Sequence, residues 1–318
     1  VLKEVESVEI ISLMDNSVDF LSTIHKAEVL PVQKWIRKRR EKEWIEKNFR
    51  FPIAEHGFSM LVKVFHKGKA YTVLFDTGVS SQGVVKNAKG MGLALSEVES
   101  IIISHGHADH FGGLIETVKT IDKQNLPIIV HEDMFKIRGK EEDETVRKYP
   151  DFPTENQIKP AKYVKTRQPY FLAENTIVVT GEIPRKTSFE KGYSKHRVLV
   201  KGSWQSDPWI WDDRALVINI KNKGLIIVAG CAHAGIINTI YHAQKIAGTE
   251  TVYAVLGGFH LAGEEFEKRI KETIEALRLL NPKLIAPSHC TGWRAIHAIA
   301  EALPKAFVWN SVGNLYAL

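Results

Sequence analysis

The sequence predicts an α/β sandwich in which two mixed sheets pack face to face with helices outside. Short β-rich runs alternate with segments of helical periodicity in both halves of the chain, and a hairpin leads each half. No Pro/Gly-rich linker separates the halves, and 318 residues with 44% hydrophobic and 25% charged side chains suffice for one sizeable core. The expected organisation is a single domain over 1–318, with a basic helical segment over 31–50 and an insertion over 132–212.

In chain order, residues 5–13 read as a strand, and Asp15-Asn16 follows as a turn in which short polar side chains bond the backbone. Pro31 opens a helix with Trp35, Ile36, Trp44 and Ile45 set among Arg and Lys. Residues 34–50 carry eight basic and three acidic side chains, +5 of the chain's net +6, as either a solvated face or a cap over an anionic ligand. Residues 58–65 and 70–75 flank Lys67-Gly68-Lys69 as a hairpin whose second strand ends in Asp76-Thr77-Gly78. A short buried strand at 101–104 leads to a helix over 112–121, where Leu114, Ile115, Val118 and Ile121 share helical spacing. Strands at 128–130 and 176–180 enclose a polar, charge-rich stretch with little periodic signal. In the second half, 215–220 and 225–229 flank Asn222-Lys223-Gly224, and a helix starts near Ile236. The strand at 252–256 precedes a helix with Phe266, Ile270, Ile274 and Leu277 on one face, and 284–286 precedes a helix near Ala295.

No stretch approaches the ~20 apolar residues of a membrane-spanning helix, and three glutamates among the first ten residues do not suit a signal peptide. Two cysteines, Cys231 and Cys290, cannot form the disulfide framework of a small secreted protein. The expectation is a cytoplasmic protein without a membrane partner. Oligomeric state is not legible.

The chemistry concentrates in His105-Gly106-His107-Ala108-Asp109-His110, four ligand-type side chains within six residues directly after a strand. In extended backbone, residues two apart point the same way, so His105 and His107 can grip one metal while Asp109 and His110 turn toward a neighbouring position. Imidazole with carboxylate suits two divalent ions, zinc foremost, with iron or manganese compatible. Gly112-Gly113 lets the backbone turn into a helix without blocking the pocket.

This motif resembles the H-x-H-x-D-H signature of the metallo-β-lactamase superfamily. Asp76-Thr77-Gly78 is similar to the upstream Asp motif of that family, and Gly230-Cys231-Ala232-His233, Gly257-Gly258-Phe259-His260 and Pro287-Ser288-His289-Cys290 follow in the family's order. The resemblance spans roughly residues 55–293 and is weakest over 157–212. It implies an αββα sandwich with a dinuclear metal centre at one sheet edge. Many members bridge the metals with an Asp directly after the glycine ending a strand, where this chain has Cys231; His233, two residues on, points to the same side, so either can be the ligand, and His233 is the expected one because imidazole suits zinc or iron and needs no thiol deprotonation. His289 matches the family's final ligand His. His260 ends a strand as a substrate contact, a proton donor or a satisfied core histidine. Asp76 is expected to orient a ligand His, and Asp109 is expected to serve the chemistry as well as the metal. His25, His56, His66 and His131 receive no metal role; His56 and Cys231 are candidate substrate contacts.

Within the superfamily the chain resembles the branch named for 7,8-dihydropterin-6-methyl-4-(β-D-ribofuranosyl)aminobenzene-5′-phosphate synthase, a step in methanopterin-type cofactor synthesis. The residues that carry this are Ala54-Glu55-His56-Gly57, residues 230–235, Gly257-Gly258-Phe259-His260-Leu261 and His289-Cys290-Thr291-Gly292-Trp293. The resemblance implies joining an aromatic amine to a pterin methyl carbon; the alternative is hydrolysis of a phosphoester, lactone or thioester. A nuclease ranks third, since the only basic stretch is 34–50 and no RNA-binding module is recognisable. The substrate is expected to be small and anionic, with Arg185-Lys186 beside Thr187 and Ser188 as a phosphate cradle.

Overall fold

The computed structural model describes residues 1–318. An eight-stranded sheet runs in the spatial order Lys162–Lys165, Pro127–Val130, Ser100–Ile102, Lys69–Phe75, Ser59–His66, Ser7–Met14, Leu315–Ala317, Val29–Leu30. A seven-stranded sheet runs Tyr170–Leu172, Ile177–Val179, Ala215–Ile220, Gly224–Ala229, Val252–Gly258, Leu284–Ser288, with Glu4–Val5 pairing onto Ala215–Ile220. Alternation builds the layers. Met60, Val62 and Val64 point inward, where they share a core with Leu216, Ile218, Val228 and Leu256 of the facing sheet. Leu61 and Leu74 point outward, beneath helices Val32–Arg39, Gly83–Gly90 and Leu114–Ile121. On the far side, Val217, Ile227, Val255 and Ile285 pack under helices Ile236–Ala247, Ile270–Leu280 and Trp293–Ala302. The result is the expected αββα sandwich.

Both sheets contain a parallel run. Lys69–Phe75, Ser100–Ile102 and Pro127–Val130 are parallel in the first, and Gly224–Ala229, Val252–Gly258 and Leu284–Ser288 in the second. Their carboxyl ends are in register, Phe75 beside Ile102 and Gly258 beside Ser288. Loops leaving these ends therefore emerge together at one edge, where α/β folds characteristically bind ligands.

The basic segment forms two helices, Val32–Arg39 and Lys42–Asn48, where one was expected. Trp35 and Ile36 are buried, and the Trp35 indole donates to the Gly313 carbonyl at 2.7 Å. Arg39 pairs with Glu9, which sits opposite Lys63, itself opposite Thr72 in the middle of Lys69–Phe75 and not at the end that carries Asp76. This first helix thus covers the core, and the two open readings resolve to neither a fully solvated helix nor a ligand cap. Residues 132–212, expected as an insertion, divide three ways. Lys162–Lys165 joins the first sheet, Tyr170–Leu172 and Ile177–Val179 join the second, and the remainder builds a four-stranded sheet of Ser203–Ser206, His196–Val200, Arg138–Glu142 and Thr145–Lys148. No helix is long and apolar enough to cross a membrane.

Candidate metal centre

The loops at the shared edge carry Asp76, His105 to His110, Cys231, His233, His260 and His289. Four of the non-glycine residues there hold positive φ: Asp76 at 61°, Ala232 at 53°, His260 at 45° and His289 at 50°. Such strain costs roughly 1–3 kcal/mol per residue and persists where the surroundings over-determine the backbone. Gly112 and Gly113 are helical with φ of −57° and −86°, so they are not needed for a turn. They are needed for contact, because a Cβ on Gly112 would lie 1.9 Å from the Val79 carbonyl oxygen and one on Gly113 2.3 Å from that of Thr77.

His105 Nε2 lies 3.1 Å from His107 Nδ1 and 3.1 Å from His233 Nε2. The outer hydrogen bonds decide which of these nitrogens carry protons. Ser104 Oγ donates to Asp76 Oδ2 at 2.8 Å, so it accepts from His105 Nδ1–H at 2.9 Å, and His105 Nε2 is bare. His196 Nδ1–H donates to the Asp207 carbonyl at 2.8 Å, so His196 Nε2 accepts from His107 Nε2–H at 3.2 Å, and His107 Nδ1 is bare. Lone pairs thus face one another in a buried space. Burial first, and then the neighbouring imidazoles, push His105, His107 and His233 well below the usual histidine range, which keeps these rings neutral.

A second group adjoins the first. Asp109 Oδ2 lies 3.1 Å from His289 Nε2 and 3.6 Å from His110 Nε2. His110 Nδ1–H donates to Asp76 Oδ2 at 2.7 Å and His289 Nδ1–H to Asn16 Oδ1 at 3.1 Å, leaving both Nε2 atoms free to face inward. Burial opposes ionisation of Asp109, yet His110 and His289 hold it well below the usual carboxylate range. Burial would likewise depress His110, but Asp109 and Asp76 raise it to about 9. This second group, with Asp109 and, at its edge, Asp76, attracts positive charge.

A metal fits this donor set. Around one ion with bonds of about 2.1 Å, tetrahedral donors sit ~3.4 Å apart, and the four inner separations above, 3.1 to 3.6 Å, bracket that. His233 Nδ1, His289 Nε2 and both nitrogens of His260 are buried without a hydrogen-bond partner. Cys231 and His233 are not alternatives: the Cys231 sulfur lies 3.1 Å from His110 Nε2 while His233 faces His105.

Other expected site residues divide. His56 rests on the His289 ring at a centroid distance of 5.0 Å, with Nε2 3.8 Å from Asp109 Oδ2, at the exposed rim. The His260 ring lies 4.1 Å from that of His233 and lines a cavity of about 580 Å³ with Tyr193, Lys140, Lys195 and Lys268. It is not a satisfied core histidine. Arg185 was expected to cradle an anion, and the structure corrects this: its guanidinium donates to the carbonyls of Ile183, Trp209 and Ile210 and stacks on Trp211. Thr187 Oγ1 is likewise engaged, donating to Glu190.

Sequence reasoning missed His196, Asp15, Asn16 and the Arg138–Asp212 pair. Asp15, read as a turn residue, is buried and accepts from the His289 amide at 2.9 Å. Asp212 Oδ2 accepts from the Gly106 amide at 2.8 Å and thereby shapes the His105–His107 loop from behind. Asp213 does the same for the second sheet's loop, accepting from the Ala234 amide at 2.9 Å. The Asp212-Asp213-Arg214 run was the one available signal, since three consecutive charges directly before an apolar strand end up buried only when paired.

Comparison with known proteins agrees with this geometry. A family model of the metallo-beta-lactamase superfamily matches residues 53–236, more than half of the chain. A protein of Methanocaldococcus jannaschii named 7,8-dihydropterin-6-methyl-4-(beta-D-ribofuranosyl)-aminobenzene-5′-phosphate synthase is 34% identical over 269 residues, 82% of this chain and 90% of its own. An uncharacterized protein of the same organism is 30% identical over 83% of this chain and 94% of its own. The crystal structure of Tm1679, described as a metal-dependent hydrolase of the beta-lactamase superfamily, superposes with a TM-score of 0.69 at 24% identity, covering 97% of this chain and 98% of that one. The sandwich, the ligand loops at its edge and these matches together establish that the chain belongs to the metallo-β-lactamase superfamily, as a metal-dependent enzyme of that fold.

Proposed function

We propose that the chain, working as one domain, holds two divalent ions, zinc foremost, one among His105, His107 and His233 and the other among Asp109, His110 and His289. The reaction we infer is the one its Methanocaldococcus relative is named for, on a small phosphorylated substrate. An aromatic amine nitrogen bonds to a pterin methyl carbon, that carbon's bond to an oxygen leaving group breaks, and the amine releases a proton. The observation that carries the metal reading is the pair of bare nitrogens, His105 Nε2 and His107 Nδ1, facing each other at 3.1 Å with their protons committed outward. Bound ions would supply Lewis acidity that stabilises negative charge on the departing oxygen.

The chain's own groups supply the rest. Asp76, Asn16 and His196 hold the ligand rings in one tautomer. His260 lines the cavity, its two nitrogens are buried without a hydrogen-bond partner, and it suits the proton released by the amine. Lys140, Lys195 and Lys268 line the same cavity and suit a phosphate, against Glu264 and Glu265.

The test is elemental analysis and turnover of the wild type and a His107→Ala/His110→Ala variant. Near-complete loss of metal and of condensation is expected; full metal content in the variant overturns the assignment. Faster turnover of simple phosphoesters or lactones than of the pterin and arylamine pair moves the reading to hydrolysis. Salt should raise KM steeply with little change in kcat, Lys195→Ala should mimic it, and Arg185→Ala should lower Tm without raising KM.

A further inference from the structure

Cys231 lies within reach of both halves of the centre. Its sulfur lies within 4.8 Å of the ligand atoms of Asp109, His110 and His289, and equally within 4.8 Å of those of His105 and His233. Each of the other five donors belongs to one group. The residue is buried, its sulfur stands 3.1 Å from His110 Nε2, and the edge between a nitrogen and a sulfur around one zinc ion is ~3.5 Å. Each group has room for it: His105 and His233, with His107 beside His105, and Asp109, His110 and His289 each supply three donors, one fewer than a tetrahedral ion takes.

We propose that the Cys231 thiolate is a ligand shared by the two metal positions, so that the centre is bridged by sulfur. This rests on the metal reading above. On binding, the S–H proton leaves to solvent and both metal–sulfur bonds draw on the sulfur's lone pairs; no oxidant or reductant takes part. A shared thiolate makes the centre softer than an all-nitrogen and oxygen one, so it retains thiophilic ions such as cadmium that a carboxylate-bridged centre holds less well. The second cysteine is the natural control. The Cys290 sulfur also lies within 4.8 Å of Cys231 and His260, but it is in neither of the two donor groups.

Chelator-stripped full-length protein reloaded with cobalt gives the readout. The expected result is a sulfur-to-cobalt charge-transfer absorption in the wild type and in Cys290→Ser that is lost in Cys231→Ser. Cobalt bound without that absorption overturns the proposal and leaves the metal reading intact. Absorption that survives Cys231→Ser and vanishes in Cys290→Ser overturns it in favour of the other sulfur. Failure of the wild type to bind cobalt or zinc overturns both readings. Should Cys231→Ser not fold, X-ray absorption of the zinc-loaded wild type decides without a variant. A shared sulfur gives an average of one zinc–sulfur bond per ion, near 2.3 Å, whereas an average of half a bond or none overturns the sharing.

Discussion

His107 shows how one residue's proton is set by another far away in the chain. Its Nδ1 faces the centre only because Nε2 keeps the proton, and Nε2 keeps it because His196, 89 residues on, presents an accepting nitrogen at 3.2 Å. His196 can accept because its own Nδ1–H is held by the Asp207 carbonyl. Outer partners of this kind typically contribute 10–100-fold in metal affinity. His196→Ala should therefore weaken zinc binding by roughly that factor, read by competition with a chromogenic chelator, while far-UV circular dichroism stays unchanged. His196→Gln should recover part of the loss, because its amide accepts from His107 and donates to Asp207. Equal affinity in wild type and His196→Ala would mean the contact only fills space.

At the scale of elements, the small sheet is a wall of the site. Its strand His196–Val200 carries His196, the residue after Thr145–Lys148 is Tyr149, whose ring lies 5.1 Å from that of His107, and Arg138–Glu142 begins with Arg138. Arg138 makes two bonds of 2.7 Å to Asp212, which in turn holds the Gly106 amide. Burial alone would raise Asp212, but Arg138 holds it well below the usual carboxylate range. A depressed carboxylate contributes stability that is complete above its unfolded pKa and is lost as pH falls through the folded value. The contribution is therefore intact at neutral pH and disappears only in strong acid. Arg138→Met should cost about 3–5 kcal/mol at pH 7 by stranding a buried charge, measured by urea unfolding. In that variant the pH dependence reverses, since an unpaired buried Asp212 is relieved by protonation and stability rises as pH falls from 7 toward 4. A cost that does not vary with pH would mean the guanidinium acts through packing.

At the scale of the molecule, the candidate ligands come from both sheets. His105, His107, Asp109 and His110 follow Ser100–Ile102 of the first; His233 and His289 follow Gly224–Ala229 and Leu284–Ser288 of the second. Metal would thus clamp the open edge of the sandwich, and binding to the folded state alone stabilises by about 4 kcal/mol at a thousandfold excess over Kd. For a domain of this size each kcal/mol shifts Tm by roughly 2–4 °C, so chelation should lower Tm by on the order of 10 °C. Calorimetry with and without chelator checks this, and an unchanged Tm would mean that the two sheets are held by their apolar core alone.

The sequence alone determined the features whose cause is local. β-Rich runs either side of Lys67-Gly68-Lys69 marked Ser59–His66 and Lys69–Phe75 as paired strands, helical spacing marked Leu114–Ile121, and two-residue spacing set His105 beside His107. The last two of these follow from where successive side chains point on one element. Tertiary structure decided the features whose cause lies across the chain. Asp15 and Asn16 look like a turn until His289, 274 and 273 residues away, arrives to use their oxygens. The basic helix shows a sparse apolar face whose burial depends on Gly313 coming to meet Trp35. Arg185 beside two hydroxyl residues has the composition of an anion cradle, and only the fold brings three carbonyls to its guanidinium. Cys231 and His233 lie on one side of an extended segment in the sequence, but the positive φ of Ala232 between them turns each toward a different partner. The physical reason is that periodicity records which way a side chain faces, whereas a hydrogen bond or a ligand position also needs the partner, and that partner is delivered by packing of elements distant in sequence.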